Sequence, residues 1–255
     1  MIDRSDRTYS NDGNKLHLNK LEIPLPDKLD AEKTFEIYEL LRPILPAPKL
    51  INSKKVRSVR EILDKVDGVI LDGYGIINIG DQPTPEIFSF FEEIRARSLP
   101  FVILTNGASY PSDISAKKYR RWGLNINVSD IISSRDVLEA HLLEKPEKNI
   151  MRLNASTTPL KNNIDMYKDA RSYKDALREA EAFAFMGSVG WTEAEQAELE
   201  AALIENPRPV FVANPDVSAP QKNGFSAEPG YWVTRALKKA DFPVEWYGKP
   251  HHASF

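Results

Sequence analysis

Two short apolar runs, Gly68-Val69-Ile70-Leu71-Asp72 and Phe101-Val102-Ile103-Leu104-Thr105, constrain this chain more than any other feature of its sequence. Neither alternates apolar with polar residues, so each reads as a strand buried on both faces, as in a parallel sheet. Between them, 84–98 has helical periodicity and opens with Pro85 and Glu86 in its first turn. A helix bearing Ile114, Lys118 and Trp122 then leads to a third apolar run at 130–133. The order β-α-β-α-β calls for right-handed crossovers and parallel strands. The class is α/β, with the strands ending at Asp72, Thr105 and Ser133 side by side and the Asp72 strand at the edge.

The flanks are less regular. Residues 1–20 are polar and aperiodic, as expected of a peripheral arm. A helix is predicted over 31–45, with Pro43, Pro46 and Pro48 breaking the chain after it. Ser58 caps a short amphipathic helix that ends at Val66. Beyond Lys145 the spacing loosens, with strands predicted at 149–153, 182–185, 209–213 and 244–247. Helices are predicted at 192–204, where Thr192 and Glu195 form a capping box, and at 230–240.

Composition excludes several kinds of chemistry. The 255 residues contain no cysteine, so disulfides, thiolate catalysis and cysteine-bound metals are ruled out. A net charge of −3 with no basic stripe gives no nucleic-acid footprint. No apolar run approaches the roughly 20 residues of a membrane span, and the first residues lack an apolar leader core. The expectation is a cytoplasmic protein with neither nucleic-acid nor membrane partners; self-association is left open.

Ligands of open parallel sheets bind beyond the carboxyl ends of the strands. There this chain places Asp72-Gly73-Tyr74-Gly75 after one strand and Thr105-Asn106-Gly107 after the next. Glycines beside Asp72 allow a sharp turn and a close ligand approach. The Asn106 and Gly107 amides with the Thr105 hydroxyl can cradle an anion. Far downstream, Gly248-Lys249-Pro250 brings a lysine that can offset a carboxylate and a bound phosphate.

The order Asp-x-x-Gly, Thr-Asn, Asn-Pro-Asp and Gly-Lys-Pro resembles the haloacid dehalogenase-like superfamily, and within it the subfamily IIA, NagD-like sugar and nucleotide phosphatases. The most specific part of the resemblance is Val212-Ala213-Asn214-Pro215-Asp216 with Pro220, then Pro229-Gly230 and Gly248-Lys249-Pro250. It implies a Rossmann-like core interrupted by an inserted α/β cap. Residues 1–57 would then be an N-terminal extension with one helix, 58–145 the first part of the core, 146–243 the cap and 244–255 the return to the core. The resemblance also implies roles: Asp72 as nucleophile, Thr105 binding the transferred group and Lys249 holding nucleophile and phosphate together. Asp72 and the Tyr74 backbone carbonyl would ligate Mg²⁺, and Asn214 and Asp216 would meet a small phosphorylated metabolite from the cap side.

Two departures set alternatives beside this phosphatase reading. Where the phosphatases carry a second aspartate as general acid and base, this chain has Tyr74. A phenol with pKa near 10 activates water poorly at neutral pH. The family's acidic Gly-Asp motif, with a further metal ligand and further core strands, would fall beyond Phe255, leaving the core incomplete at its C-terminal side. A metal-independent dehalogenase and a catalytically inactive binding protein of the same fold are the competing readings. Other residues read as bystanders. His251 and His252 point to opposite faces of an extended chain; His17 and His141 read as surface residues, and Arg120-Arg121-Trp122 as a solvated helix face. Met151, Met166 and Met186 read as packing residues, and Asp64 and Asp67 as turn or helix-end residues at the far end of the first strand.

Overall fold

The computed structural model describes residues 22–47, 53–145, 149–153 and 176–251, with the calls on 1–20, His17, Met166 and His252 lying outside them. In chain order the first elements are α1 (Ala31–Leu41), β1 (Val69–Asp72), β2 (Asn78–Ile79), β3 (Gln82–Pro83) and α2 (Ile87–Ala96). Next come β4 (Phe101–Thr105), α3 (Ser112–Arg121), β5 (Ile131–Ser133) and α4 (Ser134–Leu142). The remainder is β6 (Ile150–Leu153), α5 (Ala176–Glu179), β7 (Ala182–Phe185), α6 (Glu193–Glu205), β8 (Val210–Val212), β9 (Ser218–Gln221), β10 (Gly224–Ala227), α7 (Pro229–Lys239) and β11 (Val244–Trp246).

The three apolar runs pair as expected. A parallel sheet has the order β1-β4-β5, with Asp72 beside Leu104 and Thr105 beside Ser133. One face, carrying Leu71, Ile103 and Ile131, packs on Phe90, Phe91 and Ile94 of α2 and on Ala116 and Tyr119 of α3. The other face departs from the expectation of burial on both sides: Ile70 is 65% and Ile132 41% exposed. Among the described residues nothing covers that side of β1.

The second sheet is also parallel, in the order β11-β8-β7-β6. Met151, Leu153, Phe183, Phe185, Val210 and Val212 face a core completed by α1, α6 and α7. Ile150, Ala182, Ala184 and Phe211 face Leu138 and Leu142 of α4. The small alanines on that side let α4 approach the strands closely, so a helix that follows the first sheet serves as a covering layer for the second. The antiparallel hairpin β9-β10 projects from the second sheet, and β2-β3 forms a short flap after Asp72.

Several boundaries move for identifiable reasons. At the predicted return to the core at 244, β11 pairs with β8 and so belongs to the second sheet, and Lys249 beyond it meets Asn106. The helix expected over 58–66 is a 3₁₀ helix, Val59–Lys65, with Ser58 accepting from the Arg60 amide. The helix predicted over 31–45 ends at Leu41 and tightens into a 3₁₀ turn, Arg42–Ile44, because Pro43 has no amide to donate. Helix α1 is no loose extension. Ile37 and Leu41 lie in the second core, the Val217 amide donates to the Tyr38 hydroxyl and the Tyr231 hydroxyl donates to Pro24 O.

Helix α7 starts against the 215–216 loop, and Gly230 is what allows it. Its amide donates to Asp216 O at 3.0 Å, and a β-carbon there would sit 2.2 Å from Pro215 O. Gly230→Ala is expected to cost about 3 kcal/mol in urea unfolding, as overpacking of a fixed backbone contact does. Gly123→Ala supplies the comparison: at φ +89 and with nothing within 4 Å, it carries only backbone strain of about 1 kcal/mol. Equal losses in the two variants would show that the Pro215 contact does not constrain the loop.

Candidate active site

The site is built at the carboxyl ends of β1 and β4. Asp72 closes β1 and is about half exposed, its Oδ1 accepting from Lys249 Nζ at 2.6 Å. The same ammonium donates to Leu104 O at 2.5 Å, so one cation spans both strand ends. Lys249 lies 177 residues beyond Asp72, and the resemblance implied this return. The buried Thr105 sits beside them, and its Oγ1 accepts from the Gly107 amide at 3.1 Å. Gly73 is packed against this pair: a β-carbon there would lie 2.9 Å from Thr105 Oγ1 and 3.2 Å from the Tyr119 hydroxyl.

The anion cradle expected at Thr105-Asn106-Gly107 is therefore partly closed on itself. The Gly107 amide is engaged by Thr105, and the Asn106 side chain faces protein. Asn106 Nδ2 donates to Asp216 Oδ1 at 2.8 Å and to Lys249 O at 2.9 Å, while its Oδ1 accepts from the Lys249 amide at 2.7 Å. The side chains of Asn106 and Asp216, one expected at the strand end and the other on the cap side, thus meet each other. Asn214 turns the loop by accepting from the Asp216 amide, and its Nδ2 donates to Glu228 at 3.1 Å.

The Tyr74 side chain is engaged with backbone on both sides. Its hydroxyl donates to Pro220 O at 2.7 Å and accepts from the Gly80 amide at 2.9 Å. The phenol thus ties the β2-β3 flap to hairpin β9-β10, instead of addressing the Asp72 carboxylate as an acid or base would. Partial burial raises its pKa further, which makes a phenolate less accessible still.

Sequence reasoning missed Tyr119, whose buried hydroxyl lies under Gly73; burial and the nearby Asp72 charge push its pKa up to about 12. Its place on the inner face of α3 was visible in the apolar periodicity, but its approach to Asp72 depends on the crossover. Also missed was Arg135 at the start of α4, fully buried, ion-paired with Glu139 at 2.8 Å and donating to the Ala108 and Ser109 carbonyls beyond Gly107. The pattern Ser133-x-x-Asp136, a capping box in the structure, could have revealed that helix.

Of the residues read as bystanders, Arg120 and Arg121 are exposed as expected of a solvated face, whereas Trp122 packs on the first core. His141 is exposed, with its Nδ1 2.9 Å from Val137 O, Met151 and Met186 are buried, and Asp64 pairs with Arg97. No group of three or more His, Asp or Glu side chains that could hold a metal occurs among the described residues. No described helix is long and apolar enough to cross a membrane.

Residues 69–164 match the family of haloacid dehalogenase-like hydrolases. Solved structures extend the likeness over most of the chain. A possible sugar phosphatase of the haloacid dehalogenase superfamily from Cytophaga hutchinsonii is 22% identical, with a TM-score of 0.68 over 80% of this chain and 74% of that one. A 4-nitrophenylphosphatase from Thermotoga maritima is 18% identical, with a TM-score of 0.55 over 73% and 69%. A glycerol phosphate phosphatase from Mycobacterium tuberculosis, solved with magnesium, is 20% identical, with a TM-score of 0.59 over 76% of this chain but only 58% of its own. No curated protein matches the chain. The fold is haloacid dehalogenase-like, as the family match over the first sheet also has it. A putative nagD protein shares that fold, 19% identical with a TM-score of 0.56 over 75% of this chain and 74% of that one.

Asp216 gives the site a measurable electrostatic signature. Desolvation outweighs the hydrogen bond from Asn106 and the Lys249 charge, and its pKa rises from 3.8 to about 6. Such a carboxyl binds more protons folded than unfolded between those values, so its contribution to stability falls as pH rises through that window. Asp216→Asn is expected to flatten this fall by about 2 kcal/mol relative to the unmodified protein, followed by urea unfolding from pH 4 to 7. Parallel pH profiles would mean the carboxyl titrates normally. Tyr74→Phe is expected to cost about 1–2 kcal/mol, through loss of two hydrogen bonds to backbone, and to speed hydrogen exchange at the Gly80 amide. Unchanged Gly80 exchange would show that the flap is held by other contacts.

Proposed function

We propose that this protein is a phosphomonoester hydrolase acting on a small phosphorylated metabolite, with Asp72 as nucleophile. The observation that carries the reading is the Lys249 ammonium bound to both Asp72 Oδ1 and Leu104 O at the strand ends. In the first half-reaction Asp72 Oδ attacks phosphorus and the bond from phosphorus to the ester oxygen breaks, leaving an aspartyl phosphate and an alkoxide that takes a proton from solvent. In the second half, water attacks phosphorus, the bond to Asp72 breaks, and inorganic phosphate and the free carboxylate are released. Lys249 offsets the negative charge that nucleophile and phosphoryl group bring together, and the Thr105 hydroxyl lies beside Asp72 to bind a phosphoryl oxygen. Asn214 and Asp216 shape the wall that the second sheet presents, and the second sheet with hairpin β9-β10 acts as the cap.

Oxygen donors of one carboxylate and one carbonyl suit Mg²⁺, which keeps several waters and fills its remaining positions from substrate phosphate. Asp72, half exposed at a strand end, and the Tyr74 carbonyl two residues on are the residues that would hold it. Mg²⁺ there would shield the carboxylate from phosphate repulsion. The magnesium-bound mycobacterial phosphatase of the same fold supports that choice of metal.

A slow second half-reaction is part of this reading, because the Tyr74 hydroxyl is committed to Pro220 and Gly80. p-Nitrophenyl phosphate, whose leaving group departs unprotonated, is the substrate to use. Turnover with Mg²⁺ is expected, with its loss in Asp72→Asn and a gain of about tenfold in Tyr74→Asp, worth roughly 1.4 kcal/mol of barrier. Chloride release from a 2-haloacid without metal would instead support the dehalogenase. Turnover of neither substrate, with no gain in Tyr74→Asp, would favour a binding protein.

A further inference from the structure

We propose that Asn106 and Asp216 are positioning residues for Lys249: Asp216 orients the Asn106 carboxamide, and that carboxamide fixes the Lys249 backbone so that its ammonium reaches Asp72. This rests on the reading of Asp72 and Lys249 as the reacting pair, but not on the identity of the substrate. The carboxamide meets Lys249 at two points, accepting from its amide at 2.7 Å and donating to its carbonyl at 2.9 Å. Its second N–H goes to Asp216 Oδ1 at 2.8 Å. The polarity of these three partners admits one orientation of the amide; turned over, it would set NH₂ against an N–H and oxygen against two oxygens. With both N–H donors used, the side chain has none left for a phosphate.

Asn106 and its partner Asp216 are themselves held. The Ser134 hydroxyl donates to Asn106 O at 3.0 Å, which anchors the strand end to α4. The Asp216 amide donates to Asn214 and its carbonyl accepts from Gly230, so its carboxylate is presented from a rigid loop. Gly248 completes the junction: at φ +110, a β-carbon there would lie 2.8 Å from Asn106 Oδ1 and 2.9 Å from Pro215. Three segments distant in sequence thus meet around one carboxamide, immediately before the lysine that follows Gly248.

Positioning and direct substrate contact make different demands. A residue that touches substrate changes KM when truncated, whereas one acting through Lys249 lowers kcat and can be replaced by a group that keeps its hydrogen bond. The test is hydrogen exchange at the Lys249 amide, together with p-nitrophenyl phosphate kinetics, in Asp216→Ala and Asp216→Asn. In Asp216→Ala the Lys249 amide is expected to lose about tenfold in protection and kcat to fall about tenfold with KM little changed. In Asp216→Asn, whose amide oxygen still accepts from Asn106, both are expected to stay near the unmodified values. Should Asp216→Ala fail to fold, Asp216→Leu, which fills the space but accepts no hydrogen bond, takes its place with the same expectation. Unchanged Lys249 exchange in a folded Ala or Leu variant would overturn the proposal, as would a rise in KM at constant kcat. If the unmodified protein turns over no phosphate ester, the phosphatase reading falls, and amide exchange alone still decides whether Asp216 acts through Asn106.

Discussion

Lys249 comes back to a carboxylate 177 residues behind it, and a single flexible ammonium contact could not enforce that return. A partly exposed ion pair contributes little stability, of the order of 0–1 kcal/mol, because water and side-chain entropy oppose it. What holds the two sheets in register is the buried polar junction at Asn106, where hydrogen bonds replace the water each group has lost. Apolar packing reinforces it from behind, with Ala108 and α4 resting on the second sheet. Asp72 and Lys249 can therefore stay half open to solvent while their relative position is set elsewhere.

Tyr74 belongs to the same logic at the opposite rim. A carboxylate in its place would need desolvation against the Pro220 carbonyl, an acceptor facing an acceptor, whereas a phenol both donates and accepts there. The residue type suits a strut between flap and hairpin. The neighbouring acids obey related pressures: Asp216 and Glu228 both have raised pKa values, chiefly through burial, and the two charges oppose each other. Tyr38, desolvated between those two charges, is likewise held protonated.

The first sheet was readable because its strands are continuous apolar runs and its helices carry ordinary end signals. Their order and parallel sense followed from Leu71, Ile103 and Ile131 needing one shared core. The return of Lys249 was readable only through resemblance, since no local pattern reports a contact across 177 residues. Sheet membership of Val244–Trp246 was not legible, because an apolar run says that a strand is buried but not which neighbour it takes. The roles of Asn106 and Asp216 were out of reach for a similar reason. Either side chain has the chemistry to bind a ligand, and only the fold shows that Asn106 Nδ2 meets Asp216 Oδ1. Helix α1 was undervalued because its buried stripe is narrow, Ile37 and Leu41, and its use depends on a sheet formed more than a hundred residues later.

The uncovered side of β1 has a thermodynamic consequence. Ile70 and Ile132 already meet water in the folded protein, so unfolding hydrates less new apolar surface than in a sheet covered on both faces. The heat capacity increment of unfolding, about 12–15 cal/mol/K per residue in ordinary domains, scales with that newly hydrated surface. A smaller increment flattens the curve of stability against temperature. Among the described residues, the first sheet then draws less of its hold from an effect that fades on cooling and more from the hydrogen bonds of its ladder.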